Sequence, residues 1–407
     1  MASIAALLEG YDPQALSADT VNVFLSRLVA PVSERETVGI FQALGRVLAD
    51  DVVSPISVPP HDNSAMDGYA FDGSQLATPW PVQAPDEARS QPPLALKVVG
   101  TALAGKAWSG VVHPGECVKI MTGAIMPAGL DTVVPQEFVT RPSGPPGLVT
   151  GASGEPTWIA IPAGLLQVGD NRRKLGEDLK AGQPALQTGD MLTPAALGLL
   201  ASLGIEHIAV WRKLRVAYFS TGDEILSLGE APREGAVFDS NRYTVFGLLT
   251  RLGCEVIDLG VVRDEPALLE AAFVRAARAA DAIITSAGVS VGEADYTKAM
   301  MMKLGDVAFW KIAMRPGRPM AVGRIVKENI ASGPHEISEH SYQINSSTKT
   351  IDAAVLFGLP GNPVAVLPII FSRAGRTKAR NVTITATGLP GRPNKTAASV
   401  VLVLLFI

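Results

Sequence analysis

From Leu214 onward the sequence alternates short apolar runs with helical patterns, and this alternation is the strongest constraint on the fold. The runs at residues 214–219, 254–259 and 282–285 are typical of buried strands, and residues 307–312, 320–322 and 355–357 can add more. Strands that alternate with helices in this way form a mostly parallel sheet covered by helices on both faces.

Two helices are predicted between the first three strands. We expect Asn241 to cap the first helix and Gly253 to end it, and four leucine or valine side chains to face inward: Val245, Leu248, Leu249 and Leu252. The second helix covers residues 267–280, after Asp264 and Pro266.

Polar segments rich in small residues follow several of these strands. They are STGDE (220–224), VVRDEP (261–266), SAGVSVGEAD (286–295) and LPGNP (359–363). In open parallel sheets, ligands bind beyond the carboxyl ends of the strands. The sequence therefore predicts one pocket at this edge.

The segment at residues 285–299 is suited to hold an anion. Gly288 and Gly292 let backbone N–H groups face a phosphate or oxyanion, and Ser286 and Ser290 add hydroxyl donors. A carboxylate at Asp295 is explained if it binds a metal that bridges the anion, or accepts hydrogen bonds from an amide-rich ring such as a pterin or purine. The alternative is an ordinary strand-to-helix turn in which Asp295 caps the helix.

Three carboxylates are predicted near this pocket, on Glu224, Asp264 and Asp295. Like charges at close quarters favour a divalent metal between them, although water can also separate them. Lys311, Arg315 and Arg318 surround a Pro-Gly turn and can bind a tetrahedral oxyanion. The alternative for each cation is a surface salt bridge.

The first half of the chain has a different pattern. Residues 17–49 have helical spacing with Ser17 as a cap, residues 74–160 have the turn-rich pattern of a β-domain with long loops, and residues 193–204 again predict a helix. A length of 407 residues is enough for two to four domains.

Charge and cysteine content limit the function classes. A net charge of −4 gives no basic field for nucleic acid, so a small ligand is expected. Cys117 and Cys254 are expected to be buried thiols in a reducing compartment. No run reaches the roughly 18 apolar residues of a membrane helix, and we expect a cytosolic protein.

Eight segments together resemble the molybdopterin molybdenumtransferases of MoeA and gephyrin type, from about Thr20 to about Val366. They are PPHDNSAMDGYA (59–70), VKIMTGAIMPAGLDTVVPQE (118–137), RRKLGEDLKAG (172–182), STGDEI (220–225), FDSNR (238–242), GVSVGEADYTK (288–298), FWKIAMRPGRP (309–319) and GLPGNP (358–363).

The resemblance implies a multidomain α/β fold. A doubly wound α/β domain like that of MoaB and Mog would carry an inserted β-domain and an extended helical linker domain. The implied limits are 17–58 with 151–192 for the linker domain, 59–150 for the β-domain and 193–366 for the molybdopterin-binding domain. The family also has a C-terminal β-barrel.

The resemblance also implies the reaction. Molybdate is inserted into adenylylated molybdopterin with Mg²⁺, which releases AMP and molybdenum cofactor. The implied protein is a cytoplasmic homodimer that works with other molybdenum-cofactor biosynthesis proteins and contacts neither membrane nor nucleic acid. Its pocket would lie between the α/β-domain of one subunit and the β-domain of the other.

Site residues follow from the matching motifs. The implied catalytic set is Asp67, Thr122, Asp178, Glu224, Asp264, Asp295, Lys311 and Arg315, with Glu224, Asp264 and Asp295 as metal ligands. The implied binding set is Ser220, Thr221, Gly222, Asp223, Asp239, Asn241, Ser286, Gly288, Ser290, Gly292, Lys298, Arg318, Pro360, Gly361, Asn362 and Pro363. Without the resemblance, Asp67 is a turn aspartate, Thr122 a strand-end hydroxyl and Asp178 a solvated loop acid.

Three features depart from the family pattern. Arg315 and Arg318 stand where many members carry Lys, and residues 327–352 form a polar insertion that predicts a flexible loop. After Val366 the resemblance stops, and residues 367–407 form an atypical tail in place of the barrel. We expect a misread or degenerate end there, and the alternative is a lineage-specific tail that adds an edge strand.

Two other function classes compete with the transferase. A scaffold or inactive relative would bind partners or pterin without turnover. A nucleotide-binding oxidoreductase is disfavoured, because no G-x-G-x-x-G follows the first strand and no Walker lysine motif is present.

Overall fold

A computed structural model describes residues 16–76, 93–140, 157–286, 296–312, 319–327 and 352–363. The chain divides into two compact units, which are described separately. The first contains residues 1–50, 189–197 and 207–407, and the second contains residues 51–188 and 198–206.

The helices are α1 (Ala18–Leu28), α2 (Pro194–Ser202), α3 (Ser240–Arg251), α4 (Pro266–Ala279) and α5 (Tyr296–Leu304). The strands are β1 (Arg35–Gly39), β2 (Val52–Val53), β3 (Asn63–Ser64), β4 (Gly68–Phe71), β5 (Leu94–Ala102), β6 (Glu116–Ile120), β7 (Thr132–Pro135), β8 (Trp158–Ile161), β9 (Arg172–Arg173), β10 (Pro184–Leu186), β11 (His207–Trp211), β12 (Arg215–Thr221), β13 (Ile225–Leu226), β14 (Val237–Phe238), β15 (Glu255–Val262), β16 (Ala282–Ser286), β17 (Asp306–Lys311), β18 (Pro319–Val326) and β19 (Ala353–Leu359). Short 3₁₀ helices cover Ile40–Gln42, Gly73–Gln75 and Gln136–Phe138.

A six-stranded sheet forms the centre of the first unit, in the order β15-β12-β16-β19-β18-β17. Strands β15, β12, β16 and β19 are parallel, while β18 runs antiparallel to both of its neighbours. Strand β17 therefore points the same way as the parallel strands. Its carboxyl end lies at the same edge of the sheet as theirs.

Alternate side chains along these strands fill two cores on opposite faces of the sheet. Val216 and Ile284 belong to the core covered by α1 and α3, and Ala217 and Ile283 belong to the core covered by α4 and α5. Successive strand residues point to opposite faces, so fully apolar strands require cover on both sides. The α/β fold class predicted from the sequence is confirmed.

The second unit contains a five-stranded sheet in the order β7-β4-β6-β5-β8. Strands β5, β6 and β7 lie within residues 74–160, where the sequence predicts a β-domain. Side chains such as Val118 and Val133 fill a core on one face, and Phe71 and Ile159 fill a core on the other. The two-stranded pairs β2–β10 and β3–β9 also belong to this unit.

The helix predicted over residues 17–49 is much shorter than expected. Ser17 caps α1 as predicted, but the helix ends at Leu28. Residues 35–39 instead form β1, which pairs antiparallel with β11. Pro31 disfavours continuation of the helix, and the paired strand satisfies the backbone groups that follow.

Two further expectations for α3 were wrong. Its N-cap is Asp239, whose Oδ1 accepts a hydrogen bond from the Arg242 N–H at 3.1 Å, and Asn241 lies inside the first turn. Leu252 is 38% exposed, because the helix has ended at Arg251 before that side chain can face the sheet. Gly253 follows with φ of +80°, as expected of a helix-ending glycine.

The polar insertion begins and ends at adjacent strands. Lys327 N–H donates to the Asp352 carbonyl at 2.9 Å, and their side chains form an ion pair at 2.8 Å. Residues 328–351 lie outside the described residues, as does the tail at 364–407. The flexibility of the insertion and the nature of the tail stay predictions, as do the domain limits.

Both cysteines are unpaired thiols, Cys117 fully buried and Cys254 half-buried. Burial raises the pKa of the Cys117 thiol to about 12 and that of Cys254 to about 11. In the described part of the chain, no helix has the length and apolar character needed to cross a membrane.

Candidate active site

The strand order of the main sheet reverses at β12, and three buried hydroxyl groups meet there. The connection through α3 leads from β12 to β15 on one side, and the connection through α4 then crosses to β16 on the other side. Open α/β sheets bind ligands at such a switch point, beyond the strand ends. Ser220 ends β12 beside Ser286 at the end of β16, and their Oγ atoms are 3.0 Å apart.

Tyr218, two residues before Ser220 on β12, is the third member of this hydroxyl cluster. Its hydroxyl lies 2.9 Å from Ser220 Oγ and 2.7 Å from Ser286 Oγ. Burial raises the pKa of Tyr218 above its usual range, and the negative charge of Asp239 adds to this effect. The phenol therefore stays protonated and can donate one hydrogen bond within the cluster.

The first turn of α3 is tied to the loop after β19. Asn241 Nδ2 donates to the Gly361 carbonyl oxygen at 2.7 Å. This bond joins the FDSNR and LPGNP segments, which are separated by 120 residues in the sequence. Asp239 and Asn241 are each more than nine-tenths buried.

The STGDE turn after β12 is shaped around Gly222. This glycine has φ of +136°, and a Cβ there would lie 2.6 Å from a carboxylate oxygen of Glu224. Asp223 Oδ1 accepts the Asp264 N–H at 3.3 Å, which joins this turn to the one after β15. The turns that carry Glu224 and Asp264 therefore lie side by side.

Two arginines fix the backbone of the same turn. Arg263 Nη1 donates to the Asp223 carbonyl at 2.9 Å, and Arg233 Nη2 donates to the same oxygen. Arg263 also approaches Glu230 at 3.7 Å. Charged donors on one carbonyl hold the turn more firmly than a neutral bond would.

The structure describes two of the three carboxylates that were predicted to bind a metal. Glu224 and Asp264 are described, and Asp295 lies outside the described residues. Within the described ranges, no group of three His, Cys, Asp or Glu residues is placed to hold a metal ion. Carboxylate oxygens on neighbouring turns do have the donor chemistry that Mg²⁺ prefers.

The predicted cations lie on two different elements. Lys311 is exposed and ends β17, and β17 has the same direction as the parallel strands, so Lys311 lies at the carboxyl edge of the sheet. Lys298 lies on α5, with its Nζ 4.8 Å from the ring centre of Phe309.

Other predicted site residues occupy the ends of the same strands. Thr221 is buried at the end of β12, and Pro360, Asn362 and Pro363 follow β19. Six predicted positions lie outside the described residues: Gly288, Ser290, Gly292, Asp295, Arg315 and Arg318.

Asp67, Thr122 and Asp178 lie in the second unit. Asp67 Oδ1 accepts two hydrogen bonds from Thr122, one from its N–H and one from its hydroxyl, each at 2.7 Å. The Thr122 N–H and then its hydroxyl lower the pKa of Asp67, so this exposed carboxylate is ionised at neutral pH. Asp178 pairs with Arg173 at 2.5 Å.

Sequence reasoning missed several residues that shape the site. Tyr218 could have been found, because it lies two positions before Ser220 and so shares its face of the strand. Arg233 and Arg263 gave no signal, since their shared partner is a backbone carbonyl. Arg242 binds both carboxylate oxygens of Asp258, at 2.9 and 2.8 Å, which anchors α3 on β15.

Known families match most of the chain. The MoeA N-terminal region (domain I and II) matches residues 15–204, and a family described as a probable molybdopterin binding domain matches residues 217–372.

Curated relatives and a solved structure agree with these matches. The chain is 41% identical to a molybdopterin molybdenumtransferase of Haemophilus influenzae over 335 residues, which is 82% of this chain and 70% of that protein. It is 35% identical over 304 residues to molybdopterin molybdenumtransferase 2 of Mycobacterium tuberculosis, covering 73% of this chain and 69% of the relative. A crystal structure of a molybdopterin biosynthesis MoeA protein from Pyrococcus horikoshii has 28% identity and a TM-score of 0.64, covering 87% of this chain and 77% of the other.

The identity to the Haemophilus protein extends over most of both chains, and both family matches fall on the two halves that carry the motifs. The relatives bear the name of a transferase of molybdenum cofactor biosynthesis. The chain therefore belongs to the molybdopterin molybdenumtransferase family.

Proposed function

We propose that this chain inserts molybdate into adenylylated molybdopterin, which forms molybdenum cofactor and releases AMP. The observation that carries the proposal is the meeting of Ser220 and Ser286 at the switch point of the sheet, with their hydroxyls 3.0 Å apart. Hydroxyl donors and strand-end amides at this position suit a phosphate or oxyanion.

The proposed roles of the site residues follow from their charges and from the charges of the two anionic groups that they would bind. Molybdate is a tetrahedral dianion, so Lys311, Arg315 and Arg318 are assigned to it, together with the amides of Gly288 and Gly292. Ser220, Thr221, Ser286 and Ser290 are assigned to the phosphates of the substrate. The LPGNP turn after β19 and the STGDE turn supply backbone groups around the ligand.

Glu224, Asp264 and Asp295 are the proposed ligands of Mg²⁺. The fit rests on the Asp264 N–H bond to Asp223, which places two of the three acidic turns side by side. When bound, Mg²⁺ would neutralise phosphate charge and so favour departure of AMP. The carboxylates themselves hold no substrate anion, because like charges repel.

Asp67, Thr122 and Asp178 are assigned to the same reaction on the family pattern. The ionised Asp67 is held by Thr122 in a fixed orientation, so it is ready to accept N–H or O–H groups. We also propose a cytoplasmic homodimer that receives its substrate from other proteins of molybdenum-cofactor biosynthesis. Light scattering of the purified chain tests the dimer, and a monomer at micromolar concentration would contradict it.

The reaction is tested by following AMP release from adenylylated molybdopterin with and without molybdate. We expect AMP only when molybdate and Mg²⁺ are both present, together with a product that activates a molybdenum-dependent apoenzyme. Substrate that binds without AMP release would favour the scaffold function instead.

The metal assignment has its own test. Asp264→Asn keeps the shape of the side chain and removes its charge, so turnover should fall steeply and recover only in part at high Mg²⁺. Asp50→Asn is the matched control, because Asp50 is an exposed partner of Arg35 in a surface ion pair. Equal activity of both variants would exclude Asp264 as a metal ligand.

A further inference from the structure

Helix α1 is bonded to the outermost strands of the main sheet at both of its ends. Just before the helix, the Leu16 N–H donates to the carbonyl oxygen of Lys311 at 3.1 Å, and Leu16 lies beside Ile312 in a parallel bridge. At the end of the helix, Arg324 Nη2 donates to the carbonyl oxygen of Leu28. The two bonds therefore join α1 to β17 and β18.

These two bonds lie at opposite edges of the sheet. Lys311 is the last residue of β17 and lies at the carboxyl edge, whereas Arg324 lies opposite Asp306, the first residue of β17. The 11 residues of α1 span about 16 Å. The 6 residues of β17 span about the same length, roughly 16 Å. One bond is thus at the ligand edge and the other is at the far edge.

The bond at the ligand edge holds a backbone group that strand β18 cannot hold. The residue that faces Lys311 on β18 is Pro319, which has no backbone N–H to donate. Leu16 supplies a donor to the Lys311 carbonyl instead. The side chains of Leu16 and Ile312 are buried in the core that α1 shares with the sheet, so packing keeps this donor in place.

The position of the Lys311 backbone matters for a bound anion. A charge-assisted hydrogen bond is directional and short, so it weakens when the ammonium is displaced. A misplacement of about 1 Å can cost a factor of about 100 in rate. The hydrogen bond from Leu16 fixes the residue from which the ammonium extends.

We propose that Leu16 is a positioning residue, whose N–H fixes the backbone of Lys311 so that the lysine ammonium meets molybdate at the ligand edge. This assignment rests on the proposed function, because it concerns the anion of that reaction. Leu16 acts through Lys311, since its own side chain is buried in the core. The bond from Arg324 to Leu28 stabilises the same helix but lies at the far edge, so it has no part in binding molybdate.

The first test removes the N–H donor. Leu16→Pro lacks this group, and AMP release from adenylylated molybdopterin is followed at increasing molybdate concentrations. We expect the half-saturating molybdate concentration to rise by roughly three- to tenfold, the range that one hydrogen bond covers. The KM for adenylylated molybdopterin should not change. The increase should stay below that of Lys311→Ala, because a displaced ammonium keeps part of its attraction.

A second replacement at position 16 changes less of the chain. The α-hydroxy analogue of leucine, introduced by nonsense suppression, replaces the N–H with an ester oxygen and keeps the buried side chain. It should give the same increase, and it decides the question where Leu16→Pro does not fold. Leu16→Ala keeps the N–H and loses most of the side chain, so its increase should be smaller.

Two comparisons separate positioning from stability. Arg324→Met is the matched control, because it removes the bond to the other end of α1. It should lower the stability of the chain and leave the molybdate requirement unchanged. In a Lys311→Ala background, Leu16→Pro should add no further increase, because the group that it positions is absent.

A further readout does not depend on turnover. Acetic anhydride labels exposed lysines, and mass spectrometry measures how much of Lys311 is acetylated in the full chain with and without molybdate. Molybdate should protect Lys311 in the wild-type chain. The concentration needed for half-protection should rise when the Leu16 N–H is removed, in parallel with the kinetic change.

Several results would overturn the proposal. They are an unchanged half-protection concentration in the folded chains that lack the Leu16 N–H, the same increase in Arg324→Met, a further increase from Leu16→Pro in the Lys311→Ala background, or no protection of Lys311 in the wild-type chain. Circular dichroism verifies that each variant is folded. Protection that depends on Leu16 without AMP release would refute the transferase and leave the positioning role intact. AMP release with an unchanged molybdate requirement in the chains that lack the N–H would do the opposite.

Discussion

Replacing Asp281 with asparagine should destabilise the first unit far more than replacing the other acidic partner of the same arginine. Asp281 precedes β16 and receives hydrogen bonds from Arg212 Nη1 at 2.7 Å, Arg212 Nη2 at 3.1 Å and the Arg215 N–H at 2.8 Å. Glu34 binds the same guanidinium through Nε at 2.7 Å. The side chain of Asp281 is 21% exposed and that of Glu34 is 66% exposed.

The burial of each acidic side chain decides how much its replacement should lower the free energy of unfolding. Breaking a buried ion pair typically costs about 3–5 kcal/mol, because the remaining charge is left without its partner. In the Asp281→Asn variant, Glu34 still pairs with Arg212, and the new amide keeps an acceptor oxygen for the Arg215 N–H. The expected cost therefore lies at the lower end of that range, at about 3 kcal/mol. Glu34→Gln should cost less than about 1 kcal/mol, as exposed pairs do.

The pH dependence has a definite sign. Burial raises the pKa of Asp281, but the bonds from Arg212 and from the Arg215 N–H outweigh it, so the pKa lies below the ordinary value of 3.8. A lowered carboxyl pKa contributes stability that is present above the unfolded value and is lost as the pH falls through the folded value. The difference between wild type and Asp281→Asn should be constant from pH 8 to about pH 5 and shrink below 3.8.

Urea unfolding followed by circular dichroism and tryptophan fluorescence measures these differences. Hydrogen exchange of the β16 amides verifies that the loss is in the first unit, since exchange reports local stability. Equal costs for Asp281→Asn and Glu34→Gln, or a cost for Asp281→Asn that does not depend on pH between 7 and 3, would refute the argument from burial.

Three other predictions concern the site and the thiols. Gly222→Ala should displace the Glu224 carboxylate and lower turnover at least tenfold, because a Cβ at position 222 would lie 2.6 Å from a carboxylate oxygen of Glu224. Gly198→Ala is the control and should keep its turnover in the same assay, because no atom would lie within 4 Å of the new Cβ. Lys311→Ala should raise the molybdate concentration needed for half-maximal turnover far more than it weakens pterin binding, and equal effects on both ligands would contradict its role. Cys117, with a pKa of about 12, should resist iodoacetamide at pH 8 in the native chain and react fully in 6 M guanidinium, as mass spectrometry can show.

The alternation of apolar runs after Leu214 was enough to predict the parallel sheet and the edge at which its polar segments gather. This information is local, since a strand buried on both faces must be apolar throughout and its carboxyl end must lead into a loop. The positions of Ser286, Glu224 and Asp264 at or just after the carboxyl ends of strands could be predicted in the same way.

Other features depend on residues that are distant in the sequence. Residues 35–39 have no strand signal of their own, and β1 forms because β11 offers a pairing partner. Asp239 rather than Asn241 caps α3, because the side chain of Asn241 donates a hydrogen bond to the carbonyl oxygen of Gly361, 120 residues away. Only the folded chain decides which of two similar polar side chains meets a given backbone group. The sequence determined which chemical groups reach the edge of the sheet, and tertiary contacts alone decided which of their atoms are paired in the described part of the chain.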